Sequence, residues 1–428
     1  MEAVASCTLL DRALAASRPE GWSTLRLEAE ARLQGQDLPT TRQEDWKYLD
    51  LKELRAFEPK VGDIVPVDIK DAILPEARGN RLVFVNGHYE AHHSCTSGLP
   101  AGVRFMPLRK AEDAAAKLGQ IAADFSGDVF QDLNTARFED GALLFVPRNV
   151  KVEAPLHLLS FTQGDGVLAQ PRLLLLLERG AEARLVEDHQ GEGRGLVNAV
   201  VEIHLAEGAI LHHERVQRED ATAFHVSNLY AQVGRDAQYH SRTLTFGAQL
   251  SRQNPHVILE QGATATLDGL ALLGADQIAD THSFMHHAQP HGTSRQLHKC
   301  IVDGTARAVF NGRVLVDKHA QVTDGQQQVR TLLLSDTARV DAKPQLEIHA
   351  DDVKCSHGAA IGQLDPEELF YLRSRGMNEE LARNLLTYGF AADLLAHVPV
   401  TSLRRALRQV VLARTQSRGL GEGLGELG

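Results

Sequence analysis

From Gly141 to Gly362 the chain shows almost no helical periodicity. Short segments rich in valine, isoleucine and leucine alternate with turns, as in LLLLLERGAEARLVEDH, VEIHLAEGAILHHERV and VILEQGATATLDGLAL. The turn marks Gly180-Ala181, Gly208-Ala209, Arg235-Asp236 and Gly262-Ala263 fall 28, 27 and 27 residues apart. Later marks, at Gly304, Lys318 and Asp336, are irregular. A repeating unit of strand, small-residue corner and strand buries its inner face only by stacking on the next unit, which is how a β-solenoid is built. An antiparallel sandwich also has short strands and glycine turns. The length of the helix-free region and the repeated corner favour the solenoid.

The flanks read differently. RALAASRPEGWSTLRLEAEARLQ has helical spacing, whereas RLVFVNGHYEA alternates as a strand would and carries an Asn-Gly turn. KAEDAAAKLGQIAADF and DVFQDLNTARFEDG are helical again. After Gly362, Asp365 caps a helix with Pro366 in its first turn, Gly376 ends it, Asn378 caps the next and Gly389 ends that one. The expected organisation is a mainly helical region over 1–140, a β-helix over 141–362, a helical domain over 363–416 and a glycine-rich disordered tail over 417–428.

The chain has 428 residues, 43% hydrophobic and 24% charged, within the range of soluble globular proteins. A formal net charge of −11 argues against a nucleic-acid partner. The run Leu173–Leu177 is far too short to span a membrane and reads as a buried strand. The first residues open acidic and show no export signal, so a cytoplasmic location is expected. There is no Gly-Lys pair and hence no phosphate loop for ATP. The glycines Gly423, Gly425 and Gly428 match a dinucleotide fingerprint by accident, with no strand before them.

Two stretches carry chemistry. In KCSHGAAIG, Cys355 and His357 stand two apart in an extended segment and so emerge on one face. They read either as a small buried thiol beside a hydrogen-bonded histidine or as half of a metal or sulfur site completed from elsewhere. Lys354 and a protonated His357 are expected to favour the Cys355 thiolate. The second stretch holds His282, His286, His287, His291, His298 and Cys300, a donor set suited to zinc or iron. Its spacing is poor for a closed site, and polar residues lining solenoid faces explain it more simply. A carbohydrate-active β-helix needs convergent carboxylates. Asp280 and the adjacent Asp351 and Asp352 are candidates, but adjacent acids diverge on a strand, and only 5% of the residues are aromatic.

Three stretches together resemble the SufB/SufD family of iron–sulfur cluster assembly proteins. They are PTTRQEDWKYLDL, RQNPHVILEQGATATLDGLALL and the long run from VFNGRVLVDKHAQVTDGQQQ to LTYGFAADLL. The chain looks most like the SufD members. Where SufB-like members have an essential cysteine a few residues after a Leu-Leu pair, this sequence has Ala338. The resemblance implies a right-handed parallel β-helix flanked by helices. It implies a non-catalytic scaffold subunit that pairs with a SufB-like paralogue and docks the ABC-type ATPase SufC through its C-terminal helices. Sulfur would arrive from a cysteine desulfurase and its shuttle. Iron or a transient iron–sulfur cluster would sit at the subunit interface, with His357 as the ligand from this side and Cys355 assisting. Reduced flavin is associated with some family complexes, although no flavin site is legible here. The docking surface carried over comprises Asp365, Pro366, Leu369, Phe370, Tyr371, Arg375, Gly376, Tyr388 and Gly389. A chain of this kind is also expected to self-associate when its partner is absent.

Overall fold

The computed structural model describes residues 8–123 and 127–415. Two long sheets, almost entirely parallel, face each other and form a β-solenoid. The first runs from Arg81–Val85 through seven further parallel strands to Val353–Gly362, with the short antiparallel strand His88–Tyr89 beside its first member. The second runs from the antiparallel Arg104–Pro107 and the parallel Gly141–Val146 to Arg339–Ile348. The chain crosses from one sheet to the other at each half-coil. Residues in register are therefore one coil apart: Leu211, Tyr239, Ala265, Ser294, Gly325 and Cys355 form one continuous rank.

The corner repeat has a plain cause. Gly180, Gly208 and Gly262 adopt φ of 66°, 68° and 69°, a left-handed turn that glycine enters without steric penalty. The alanine after each is fully buried, since only a methyl group fits inside the corner. Asp236 takes the same place at φ 55°. The rhythm fades later because this corner stack continues through His291 (φ 65°) and Val322 (φ 60°) rather than through glycine. Gly304 belongs to another corner, where its neighbour Thr305 bonds back to Ala275.

The sheets reach back beyond Gly141. RLVFVNGHYEA forms Arg81–Val85 and His88–Tyr89 around the Asn86-Gly87 turn, and its first strand pairs in parallel with Leu156–Gln163. The helices Leu9–Leu14, Ser23–Leu33 and Val129–Arg137 pack Leu10, Leu33, Phe130 and Leu133 with Leu196, Phe224 and Val226 of the solenoid. The run Leu173–Leu177 lies in the strand Arg172–Leu177, buried throughout.

Three helices follow the solenoid: Pro366–Ser374, Glu379–Ala396 and Thr401–Thr415. Asp365 and Asn378 cap the first two as expected, and Gly376 turns the chain at φ 92°. Gly389 does not end the second helix, which continues to Ala396. The seven further residues carry Ala391, Leu394 and Leu395 onto Val216, Leu244 and Leu270 of the first sheet. That burial outweighs the roughly 1 kcal/mol that an interior glycine costs. Lys299 clamps the same helix, donating to Asp393 at 2.6 Å and to the Phe390 carbonyl at 2.9 Å. The tail over 417–428, with Gly423, Gly425 and Gly428, lies outside the described residues.

Candidate functional site

The solenoid is open at one end. Among the described residues, Val353–Gly362 pairs only with Thr323–Leu333, and Arg339–Ile348 only with Arg307–Val316. Both sheets thus finish at the same coil with one row of backbone N–H and C=O groups unpaired, an edge that invites strand pairing with another chain. Almost every residue of Val353–Gly362 is exposed.

Cys355 and His357 stand on the inward-facing positions of this last strand. Cys355 is in register with Gly325, and His357 with the buried Gln327. Around the missing side chain of Gly325 three groups converge. A Cβ placed there would lie 3.4 Å from the Cys355 Sγ, 3.5 Å from the Ser294 hydroxyl and 3.8 Å from His287 Nε2. Burial pushes the Cys355 thiol up, and the nearby Asp324 carboxylate adds to this, while a backbone hydrogen bond from Gly325 works the other way. The expectation of a favoured thiolate is therefore not met: Lys354 projects from the other face of the strand, and burial dominates.

His357 is exposed, and its Nδ1 lies 3.0 Å from the Pro344 carbonyl on the opposite sheet. A carbonyl only accepts, so Nδ1 is the donor, and the neutral tautomer this selects has its lone pair on Nε2. A carbonyl bonded to one ring nitrogen with the other left free is how metal-ligating histidines are oriented. One coil below, neither side-chain polar atom of Gln327 has a hydrogen-bond partner among the described residues.

The stretch from His282 to Cys300 does not converge. His282 pairs with Asp280 (3.0 Å) and His286 with Asp317 (3.0 Å), whereas His287 points inward to the Ser294 hydroxyl (2.9 Å). His291 sits at a corner, and His298 lies in the interior with its ring 4.5 Å from that of Phe310. Cys300 is buried, its thiol pushed up to about 12 by that burial. The carboxylates weighed for a carbohydrate enzyme are likewise dispersed, since Asp280 is bound to Arg252 at 2.6 Å and Asp351 and Asp352 lie exposed at a turn.

The buried histidines make the solenoid sensitive to acid. Burial holds His298 at about 4, and burial together with His286 holds His287 there, against an ordinary 6.5. Between those values the unfolded chain binds more protons than the folded one, so stability declines as pH falls from 6.5 toward 4. Among histidines with a resolved shift only His189 is raised. The melting temperature should fall steadily from about pH 7 to about pH 5, and His298→Gln should flatten the slope. A constant melting temperature over that window contradicts the assignment.

Of the docking residues, Phe370 (73% exposed) and Tyr371 (57% exposed) stand clear of the body on Pro366–Ser374, a helix with no buried residue. Arg375 stacks on Tyr371 at 5.2 Å, and Leu369 is half-buried. Tyr388 instead faces the third helix, where its hydroxyl accepts from Arg408 at 2.8 Å. Ala338 is buried in a small apolar cluster with Ala306 and Val302.

Two family models match: the SUF system FeS cluster assembly SufBD core domain over residues 160–390 and the SufBD N-terminal region over 11–158. The chain belongs to the SufBD family. It is 40% identical over 399 residues to a SufBD-family iron–sulfur cluster assembly protein of Synechocystis, covering 88% of each chain. It is 35% identical over 392 residues to the iron–sulfur cluster assembly protein SufD of Escherichia coli, covering 89% of each. To the chloroplastic protein ABCI7 of Arabidopsis thaliana it is 33% identical over 391 residues, covering 87% of this chain and 82% of that one. The chain is thus a SufD-like member of the SUF iron–sulfur cluster assembly family. No helix among the described residues is long and apolar enough to cross a membrane.

Proposed function

We propose that the chain is a non-catalytic scaffold subunit of a SufBCD-type complex. It pairs through the open end of its solenoid with a SufB-like paralogue and docks the ABC-type ATPase SufC on its C-terminal helices. The observation that carries this reading is the coincidence at one end of two unpaired sheet edges and the inward-facing pair Cys355 and His357. A partner solenoid that continues both sheets satisfies the edges and brings further ligands to His357. The substrate held there is iron or a nascent iron–sulfur cluster, with His357 Nε2 as this chain's ligand and the Cys355 thiol deprotonating when metal binds beside it. Phe370 and Tyr371 supply the apolar anchors for SufC. Nucleotide hydrolysis by SufC opens the joint, and sulfur enters from a cysteine desulfurase and its shuttle. Reduced flavin belongs in this reading to the assembled complex, with no flavin-holding residue assigned to this chain. In the absence of the paralogue, two copies pair through the same ends.

Affinity purification from the native cell is the test. Recovery of an ABC-type ATPase and a SufB-like paralogue supports the proposal. Recovery of the chain alone, with neither partner even after gentle cross-linking, defeats it.

A further inference from the structure

Deep in the solenoid, far from the open end in sequence, a second group of donors meets. His189 lies on the strand Glu182–Glu192 of the first sheet, Glu219 on the crossover after Ile210–Arg218, and His225 at the start of Phe224–Val233 in the second sheet. All three are buried, and one ligand atom from each lies within 4.8 Å of the others. We propose that His189, Glu219 and His225 form a site for a divalent transition-metal ion inside the solenoid. This site is independent of the cargo site at His357.

The hydrogen-bond network around the group leaves one of its donors, His189 Nδ1, without a partner among the described residues. His189 Nε2 sits 2.8 Å from Glu187 Oε1, while its Nδ1 is fully buried and has no hydrogen-bond partner among the described residues. A histidine held at one nitrogen by a carboxylate and bare at the other is the orientation that metal-ligating imidazoles adopt. Glu187 is itself fixed by His213 Nε2 at 2.9 Å and by Arg215 Nε at 3.1 Å. On the other side His225 Nδ1 lies 2.6 Å from Glu219 Oε1, and Gln217 donates to the other carboxylate oxygen. The two imidazole rings are 5.0 Å apart and nearly perpendicular, so their nitrogens converge without stacking.

Charge accommodates the ion. Glu187 and Glu219 bring two negative charges and Arg215 one positive, a buried deficit that either a protonated His189 or a bound cation balances. Two imidazoles and one carboxylate select a first-row ion such as Zn²⁺ or Fe²⁺ rather than Mg²⁺ or Ca²⁺. A cavity of about 20 Å³, room for one water, is lined by Glu187 and His189 together with Ser160 and Arg172; Glu219 and His225 do not border it. An ion here ties the first sheet to the second across the interior.

The full chain carrying C355A and H357A, which removes the cargo ligands, should be expressed in medium supplemented with zinc or with ferrous iron, and its metal measured after dialysis. One ion per chain is expected, and which medium delivers it identifies the metal. E219Q and H225N should empty the site while circular dichroism and elution volume stay as in the parent. E187Q should weaken binding about 10–100-fold, the effect of losing the carboxylate that orients a ligating histidine. Metal content that is unchanged in folded E219Q and H225N overturns the proposal, as does absence of metal under both growth conditions. X-ray absorption of the loaded chain carrying C355A and H357A keeps the test decisive if E219Q and H225N misfold. A shell of nitrogen and oxygen alone from an ion that survives C355A and H357A supports the interior site, and a sulfur ligand overturns it.

Discussion

His357→Ala should leave the fold and the complex with the paralogue intact, yet cut the iron and sulfide retained after anaerobic reconstitution about tenfold or more. Loss of a group that merely orients a ligand costs about 10–100-fold in affinity, and a ligand matters at least as much. The fold should not notice the change, because His357 is exposed on the terminal strand and makes one side-chain hydrogen bond, to Pro344. Cys355→Ala should be milder: its thiol is half-buried and held protonated by burial until metal is beside it. Unchanged visible absorbance and iron content in the His357→Ala complex remove the ligand role. Total loss in Cys355→Ala alone reverses the ranking of the two residues.

The largest effect on folding is expected at Arg172. Its guanidinium pairs with Glu202 where both side chains are fully excluded from solvent, and it also donates to Asn134 at 3.1 Å and Thr135 at 3.0 Å. The same carboxylate accepts from the Gly119 amide at 2.9 Å. One ion pair thus joins the strand Arg172–Leu177 to two segments of the N-terminal region. Arg172→Met strands the Glu202 charge in the interior and should destabilise the chain by about 3–5 kcal/mol, a large fraction of the roughly 5–15 kcal/mol by which an ordinary domain is stable. Arg172→Met with Glu202→Gln should recover a good part of that loss, because no charge is then left unpaired. Chemical denaturation of the three proteins measures both. A single variant within about 1 kcal/mol of wild type contradicts the assignment.

The solenoid was legible because its corners obey a local rule: where three of four carry left-handed glycine before buried alanine, the repeat shows in the sequence. It faded where His291 and Val322 took the left-handed turn, since neither residue signals one. Gly389 misled for the opposite reason. A glycine is a weak local signal, and the apolar face beyond it, from Phe390 to Leu395, is satisfied only by a sheet distant in sequence. The alignment of Cys355 with His357 followed from strand geometry alone. Their place on the last rung of an open solenoid did not, because the end of a stack is a property of the whole. The group of His189, Glu219 and His225 left no trace in spacing, as each residue comes from a separate element. Resemblance to the SufB/SufD family supplied what periodicity lacked, namely a reason to expect any further ligands beside Cys355 and His357 on a second chain.

Amide hydrogen exchange of the chain, alone and mixed with its SufB-like paralogue, bears most directly on the open end. Alone, the unpaired edges of Val353–Gly362 and Arg339–Ile348 should exchange quickly, unlike the interior strands. In the complex both segments should become strongly protected, together and to a similar degree, as the sheets continue into the partner. A complex that forms while these two strands exchange as fast as before, with protection appearing elsewhere, contradicts the central claim.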